Sequence, residues 1–221
     1  MSTEQACRLY LITPDQFDID DFKTQLEDAL RGGDVACLQL RLKNTDDEAI
    51  RQAARILMPV CHAHDVAFLI NDRPDLAAEL EADGVHVGQQ DADQKTARAA
   101  VGDDRIVGVT CHDSRHLAME AAERNADYVA FGAAFPTETK ETKFRAGSDL
   151  FQWWSELFEV PSVAIGGLTA ENCGSIVAAG ADFIAACSSV WNNAQGPGAA
   201  VHDFNKAIQN AATGGIPNSG T

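Results

Sequence analysis

Side chains able to do chemistry in this chain follow short apolar runs. Asp72 closes FLIND and Asp91 closes GVHVGQQD. Two carboxylates of this kind suit Mg2+, which takes one or two protein carboxylates and fills its other positions with water and substrate phosphate oxygens. In LQLRLKN, Gln39, Arg41 and Lys43 recur at every second position, so on an extended segment their side chains fall on one side. Arg can grip phosphate bidentately and Lys acts as a compact charge, so this trio points to a phosphorylated substrate. Thr137, Thr139 and Lys140 in FPTETK add hydroxyl and ammonium donors for phosphate oxygens. Gly166–Gly167 in AIGGLT lets backbone N–H groups come close to an anion, and Cys187, Ser188 and Ser189 follow the last apolar run. Each group alone has a plainer reading, the Asp residues as helix caps or solvated loop, the glycines as a turn, the Thr and Lys residues as an ordinary polar loop. Their agreement on an anionic, phosphorylated ligand favours the functional reading.

Other reactive residues fit structural roles better. His86 sits inside the apolar run GVHV, where a packed, hydrogen-bonded histidine is expected rather than a ligand. Cys111 and His112 are adjacent, and neighbours on an extended chain point to opposite sides, which disfavours a nucleophile–base dyad. Asp75 and Asp93 read as caps or solvated loop residues. The six cysteines have no C-x-x-C spacing, against both a zinc site and a disulfide scaffold, and read as small buried hydrophobes.

The elements that must position these groups alternate. Apolar runs at Arg8–Thr13, Val35–Arg41, Ala67–Ile70, Gly84–Val87, Ile106–Val109, Tyr128–Gly132, Ser162–Ile165 and Phe183–Cys187 mostly lack polar alternation, as strands covered on both faces do. Between them lie amphipathic patterns such as Asp47–His62, Arg115–Arg124 and Ala170–Ala179, with caps expected at Asp46, Ser114 and Thr169 and a stop at Gly180. Eight strand–helix units predict an α/β fold, a single closed (β/α)8 TIM barrel over residues 1–212, with a doubly wound sheet as the alternative. Residues 213–221, rich in small polar residues, Gly and Pro, are expected to form a disordered tail. In such a barrel function belongs on the loops after the C-terminal strand ends, where the candidate phosphate and metal ligands fall.

With 221 residues and 45% hydrophobic composition the chain can bury one large core. Its 17 Lys and Arg against 33 Asp and Glu, a net charge of -16, oppose unaided binding to nucleic acid or anionic lipid. No apolar run is long enough to span a bilayer and the N-terminal segment lacks a basic region of the signal-peptide kind, so a cytoplasmic location is expected. An oligomer of identical subunits is compatible with the sequence.

Taken together, QLRLK, INDR, ADGVHVGQQD, VGVT, FGAAFPTETK and AIGG, in this order over residues 35–190, resemble the thiamine phosphate synthase family. The resemblance implies a transferase that joins hydroxymethylpyrimidine diphosphate to thiazole phosphate, giving thiamine phosphate and pyrophosphate with Mg2+. It places Gln39, Arg41, Lys43, Asn71, Thr110 and Lys140 around the pyrimidine diphosphate, with Arg41, Lys43 and Lys140 neutralising the departing oxygens. Asp72 and Asp91 would hold Mg2+, and Thr137, Thr139, Gly167, Cys187 and Ser188 would line the thiazole phosphate site. Departures from the family pattern are Leu42 for an acidic residue, Ala133 for a proline, Thr110 for a serine and Cys187 for an aliphatic residue. Two other readings stand beside this one: an isomerase resembling thiazole tautomerase, with His112 as proton carrier, and a barrel that has lost turnover and only binds phosphate ligands.

Overall fold

The computed structural model describes residues 6–89, 93–136 and 144–214. Its strands are β1 (Arg8–Ile12), β2 (Cys37–Leu40), β3 (Ala67–Asn71), β4 (Gly84–Val87), β5 (Ile106–His112), β6 (Tyr128–Gly132), β7 (Ser162–Ile165) and β8 (Phe183–Ala186). All pair in parallel in chain order, and β1 closes on β8. The doubly wound alternative is thereby excluded. The helices are α1 (Ile19–Arg31), α2 (Asp47–His62), α3 (Pro74–Glu79), α4 (Gln94–Val101), α5 (Arg115–Glu123), α6 (Ser148–Leu157), α7 (Gly174–Ala178), α8 (Ser188–Trp191) and α9 (Pro197–Ala212). The tail expected after α9 falls, from residue 215 on, outside the described residues. No helix among the described residues is long and apolar enough to cross a membrane.

Local signals account for most of these boundaries. Asp46, Asp93 and Ser114 cap α2, α4 and α5 by accepting the backbone N–H of Ala49, Thr96 and Leu117. Thr169 is a correction: it caps no α-helix, because residues 170–173 form turns and α7 starts only at Gly174, with Cys173 in the cap position. β2 is shorter than its apolar run, and β5 runs three residues beyond Val109, with a register shift between Thr110 and His112.

The wall of the barrel separates two cores. Outward side chains, Leu9, Leu38, Phe68, Val85, Val107, Val129, Ala164 and Ile184 among them, pack under the helices in one continuous apolar layer. Inward side chains form a second, smaller cluster of Tyr10, Ile12, Cys37, Leu69, Tyr128, Ala130, Val163 and Ala185. Gly108 belongs to this inner face by necessity, since a Cβ there would stand 1.9 Å from the Tyr128 ring.

Candidate active site

Toward the C-terminal ends of the strands the inner face becomes polar. Gln39, His86 and Thr13 are among the few polar side chains in the core, 3%, 6% and 0% exposed. Burial of such groups is costly unless each finds a partner, and here each has one. Asn71 Nδ2 donates to Asp72 Oδ2 at 2.5 Å, and Gln39 Nε2 donates to Asn71 Oδ1 at 2.5 Å. Gln39 Oε1 accepts from the Tyr10 hydroxyl at 3.0 Å, which lies 2.9 Å from the Tyr128 hydroxyl. His86 Nδ1 lies 2.8 Å from that hydroxyl, and His86 Nε2 is 2.7 Å from Thr110 Oγ1. Seven side chains carried by β1 to β6 and the turn after β3 thus form one continuous polar path across the barrel interior. Among the described residues no buried side-chain nitrogen or oxygen lacks a partner.

The first, second and eighth loops are tied together by Thr13. Its N–H donates to Gln39 O at 3.0 Å, its hydroxyl accepts from Arg41 N at 2.9 Å, and its carbonyl accepts from the Cys187 thiol at 3.6 Å. The expected side-by-side array of Gln39, Arg41 and Lys43 is corrected in one respect: β2 ends at Leu40, so only Gln39 is a strand residue. Arg41 and Lys43 belong to the loop, where the Arg41 guanidinium pairs with the Asp15 carboxylate and Lys43 N donates to Asp15 O at 3.2 Å.

Gly166 and Gly167 adopt φ of +97° and +64°, a region that suits glycine. A Cβ on Gly167 would lie 2.4 Å from Pro136 O, and one on Gly166 would lie 2.7 Å from the Ala133 Cβ. The close backbone approach expected there is therefore made, at least in part, by the protein's own segment after β6. Ala134 N and Phe135 N donate to Ile165 O and Gly166 O. Ala133, where the family pattern has proline, supplies an N–H that donates to Phe144 O at 3.3 Å, a bond that proline lacks. Leu42 packs its side chain against the outer apolar layer.

Neither Cys187 nor Cys111 is set up as a thiolate nucleophile. Burial pushes the Cys187 thiol up to about 11 and that of Cys111 up to about 12. Cys111 lies in the outer core, and the His112 ring stacks on Phe144 with centroids 4.4 Å apart. Burial first, and the Arg41 charge second, push His86 down to about 4, so it is neutral near pH 7. Burial drives the Tyr10 and Tyr128 hydroxyls well above their ordinary range.

Of the residues singled out in the sequence, Gln39, Asn71, Asp72 and Thr110 are joined in the polar path, while Arg41 and Cys187 are tied to the same rim through Thr13. Ser188 opens α8 directly after Cys187, and Gly167 lies in the turn after β7. Asp91, Thr137, Thr139 and Lys140 lie outside the described residues. Among the described residues no group of three or more His, Cys, Asp and Glu side chains is placed to hold a metal. The sequence reading missed Tyr10, Thr13, Asp15 and Tyr128. Tyr10 and Tyr128 share strand parity with the inward residues of their neighbours, and that parity was the available signal.

A family model described as thiamine monophosphate synthase matches residues 9–190. The thiamine-phosphate synthase of Rhodospirillum centenum is 60% identical over 203 residues, covering 92% of this chain and 98% of that one. The thiamine-phosphate synthase of Hyphomonas neptunium is 47% identical over 210 residues, 93% and 95% of the two chains. Among solved structures, thiamine phosphate pyrophosphorylase from Pyrococcus furiosus superposes with a TM-score of 0.81 at 27% identity, covering 94% of this chain and 98% of that one.

Proposed function

Because the chain belongs to the thiamine monophosphate synthase family, we propose that its barrel mouth joins hydroxymethylpyrimidine diphosphate to thiazole phosphate, releasing pyrophosphate and thiamine phosphate. It is a transferase of thiamine biosynthesis. The single observation that carries the assignment of the site is the convergence of Gln39, Asn71, Asp72 and Thr110 in one polar path opening at the C-terminal end of the barrel.

In the reaction the thiazole nitrogen forms a bond to the pyrimidine methylene carbon as the bond from that carbon to the diphosphate oxygen breaks. Positive charge grows on the carbon and negative charge on the leaving oxygens, so the protein's task is to neutralise the latter and exclude water. Arg41, Lys43 and Lys140 carry the charge for that task. Gln39, Asn71 and Thr110 position the pyrimidine, while Thr137, Thr139, Gly167, Cys187 and Ser188 surround the thiazole phosphate. No protein nucleophile is needed, in keeping with the raised Cys111 and Cys187 thiols.

The donor chemistry at the mouth fits Mg2+. Asp72 offers a carboxylate directly after β3, with φ of +61° turning the chain out of the strand, and Asp91, outside the described residues, would supply the second hard oxygen donor. Bound there with substrate phosphate oxygens, Mg2+ would supply charge neutralisation to the leaving diphosphate. An acidic chain with net charge -16 gains most from such a cation when it binds an anionic substrate.

Incubation of the purified chain with the two substrates and Mg2+ tests the reading. Thiamine phosphate and pyrophosphate in equal amounts, abolished by chelation, are expected. Product that survives chelation would remove the metal role, and no product would remove the assignment.

A further inference from the structure

The direction of each hydrogen bond in the polar path follows from its carboxylate end. Asp72 as a carboxylate only accepts, so Asn71 must turn Nδ2 toward it and leave Oδ1 for Gln39. Gln39 then presents Nε2 to Asn71 and Oε1 to Tyr10. The one proton of the Tyr10 hydroxyl is spent on Gln39, so its oxygen accepts from Tyr128. The Tyr128 proton is spent on Tyr10, so its oxygen accepts from His86 Nδ1–H. A neutral His86 with Nδ1 protonated has a bare Nε2, which accepts the Thr110 hydroxyl proton.

We propose that Tyr10, Tyr128 and His86 are positioning residues that fix Thr110 Oγ1 as a hydrogen-bond acceptor toward the mouth, selecting a ring that presents an N–H donor. This rests on the synthase reading, under which the ring is the aminopyrimidine. Without the chain a threonine hydroxyl can rotate to donate or accept and discriminates little. With it, a ring carrying only acceptors at that edge meets lone pairs against lone pairs and leaves both unpaired. Gly108 is part of the device, since only a residue without a Cβ leaves room for the Tyr128 ring that links β1 to β4.

The test is the tautomer of His86 in the full chain, labelled with 15N in its six histidines and read by long-range proton–nitrogen correlation near pH 7.5, with His86→Gln identifying the signal. A neutral ring protonated at Nδ1 is expected, and one protonated at Nε2, or at both nitrogens, overturns the proposal. Tyr128→Phe removes the acceptor of Nδ1–H. It should move the His86 proton to Nε2 and raise KM for the pyrimidine diphosphate about tenfold, roughly one hydrogen bond, while KM for thiazole phosphate stays unchanged. An unmoved tautomer, or equal losses for both substrates, contradicts it. Thr110→Ser should retain pyrimidine binding where Thr110→Val loses it. If Tyr128→Phe fails to fold, the wild-type tautomer still decides. That spectrum needs no substrate, so a wild type without product would refute the synthase reading and leave this one to be judged separately.

Discussion

The two faces of the barrel wall solve opposite problems with alternate residues of the same strands. In β4, Val85 joins the apolar layer beneath the helices, whereas His86 turns inward to Tyr128 and Thr110. In β6, Phe131 packs outward on Phe151 and Trp154, and Tyr128 points inward. The outer face gains from area removed from water and is indifferent to direction. The inner face gains from each polar atom having a partner of the right sense, so its members are coupled. Loss of one outer side chain should therefore cost stability and spare recognition, while an equally small change inside should alter recognition first.

The largest expected effect is on the outer face. Trp154 is fully buried, stacks on Phe158 at 4.0 Å and donates its Nε1–H to Val160 O. Trp154→Ala should lower unfolding free energy by about 4 kcal/mol in urea titrations, with KM for both substrates unchanged. A selective loss of pyrimidine binding would show that the outer layer also serves recognition.

Next comes the response of the inner face to acid. His86 titrates at about 4 in the folded chain against 6.5 as its ordinary value. Between those values the unfolded chain binds more protons, so stability is fully present above about pH 6.5 and falls as pH drops toward 4. The loss is about 3 kcal/mol. The unfolding free energy of wild type, measured by urea titration, should fall by that amount more than that of His86→Gln between pH 6.5 and 4, and equal falls would refute it.

Gly108→Ala probes the inner face directly, because the added methyl group collides with the Tyr128 ring. About 2 kcal/mol of destabilisation is expected, together with weakened pyrimidine diphosphate binding, measured by melting and by KM. Loss of stability with binding intact would show that Tyr128 does not serve the site. The smallest effect belongs to His112, whose ring stacks on the partly exposed Phe144 at the rim. His112→Ala should keep turnover within about twofold of wild type, whereas an isomerase using His112 as proton carrier would lose it.

Much of this was legible in the sequence. The apolar runs located all eight strands, since strands buried on both faces carry little else, and Asp46 and Ser114 announced their helices. Thr169 misled because the chain after it forms turns over residues 170–173 before α7 begins at Gly174, although Asn172 Oδ1 accepts the Thr169 N–H as it would at a helix start. Arg41 read as a strand residue, yet its guanidinium and the backbone of Lys43 are held by Asp15 from the loop after β1, a contact between distant segments that local spacing does not encode. Gln39, Asn71, Asp72 and Thr110 stood out as polar residues at the ends of apolar runs. Tyr10 and Tyr128, by contrast, passed as ordinary strand aromatics, because their hydroxyls find partners only once the barrel closes.

The role of Asp72 is tested most directly by the rate of thiamine phosphate formation in Asp72→Asn. Asparagine keeps the shape, tolerates the φ of +61° and can still accept from Asn71. At saturating Mg2+ turnover about 100-fold below wild type is expected, with an unchanged melting temperature. Turnover equal to wild type would contradict it.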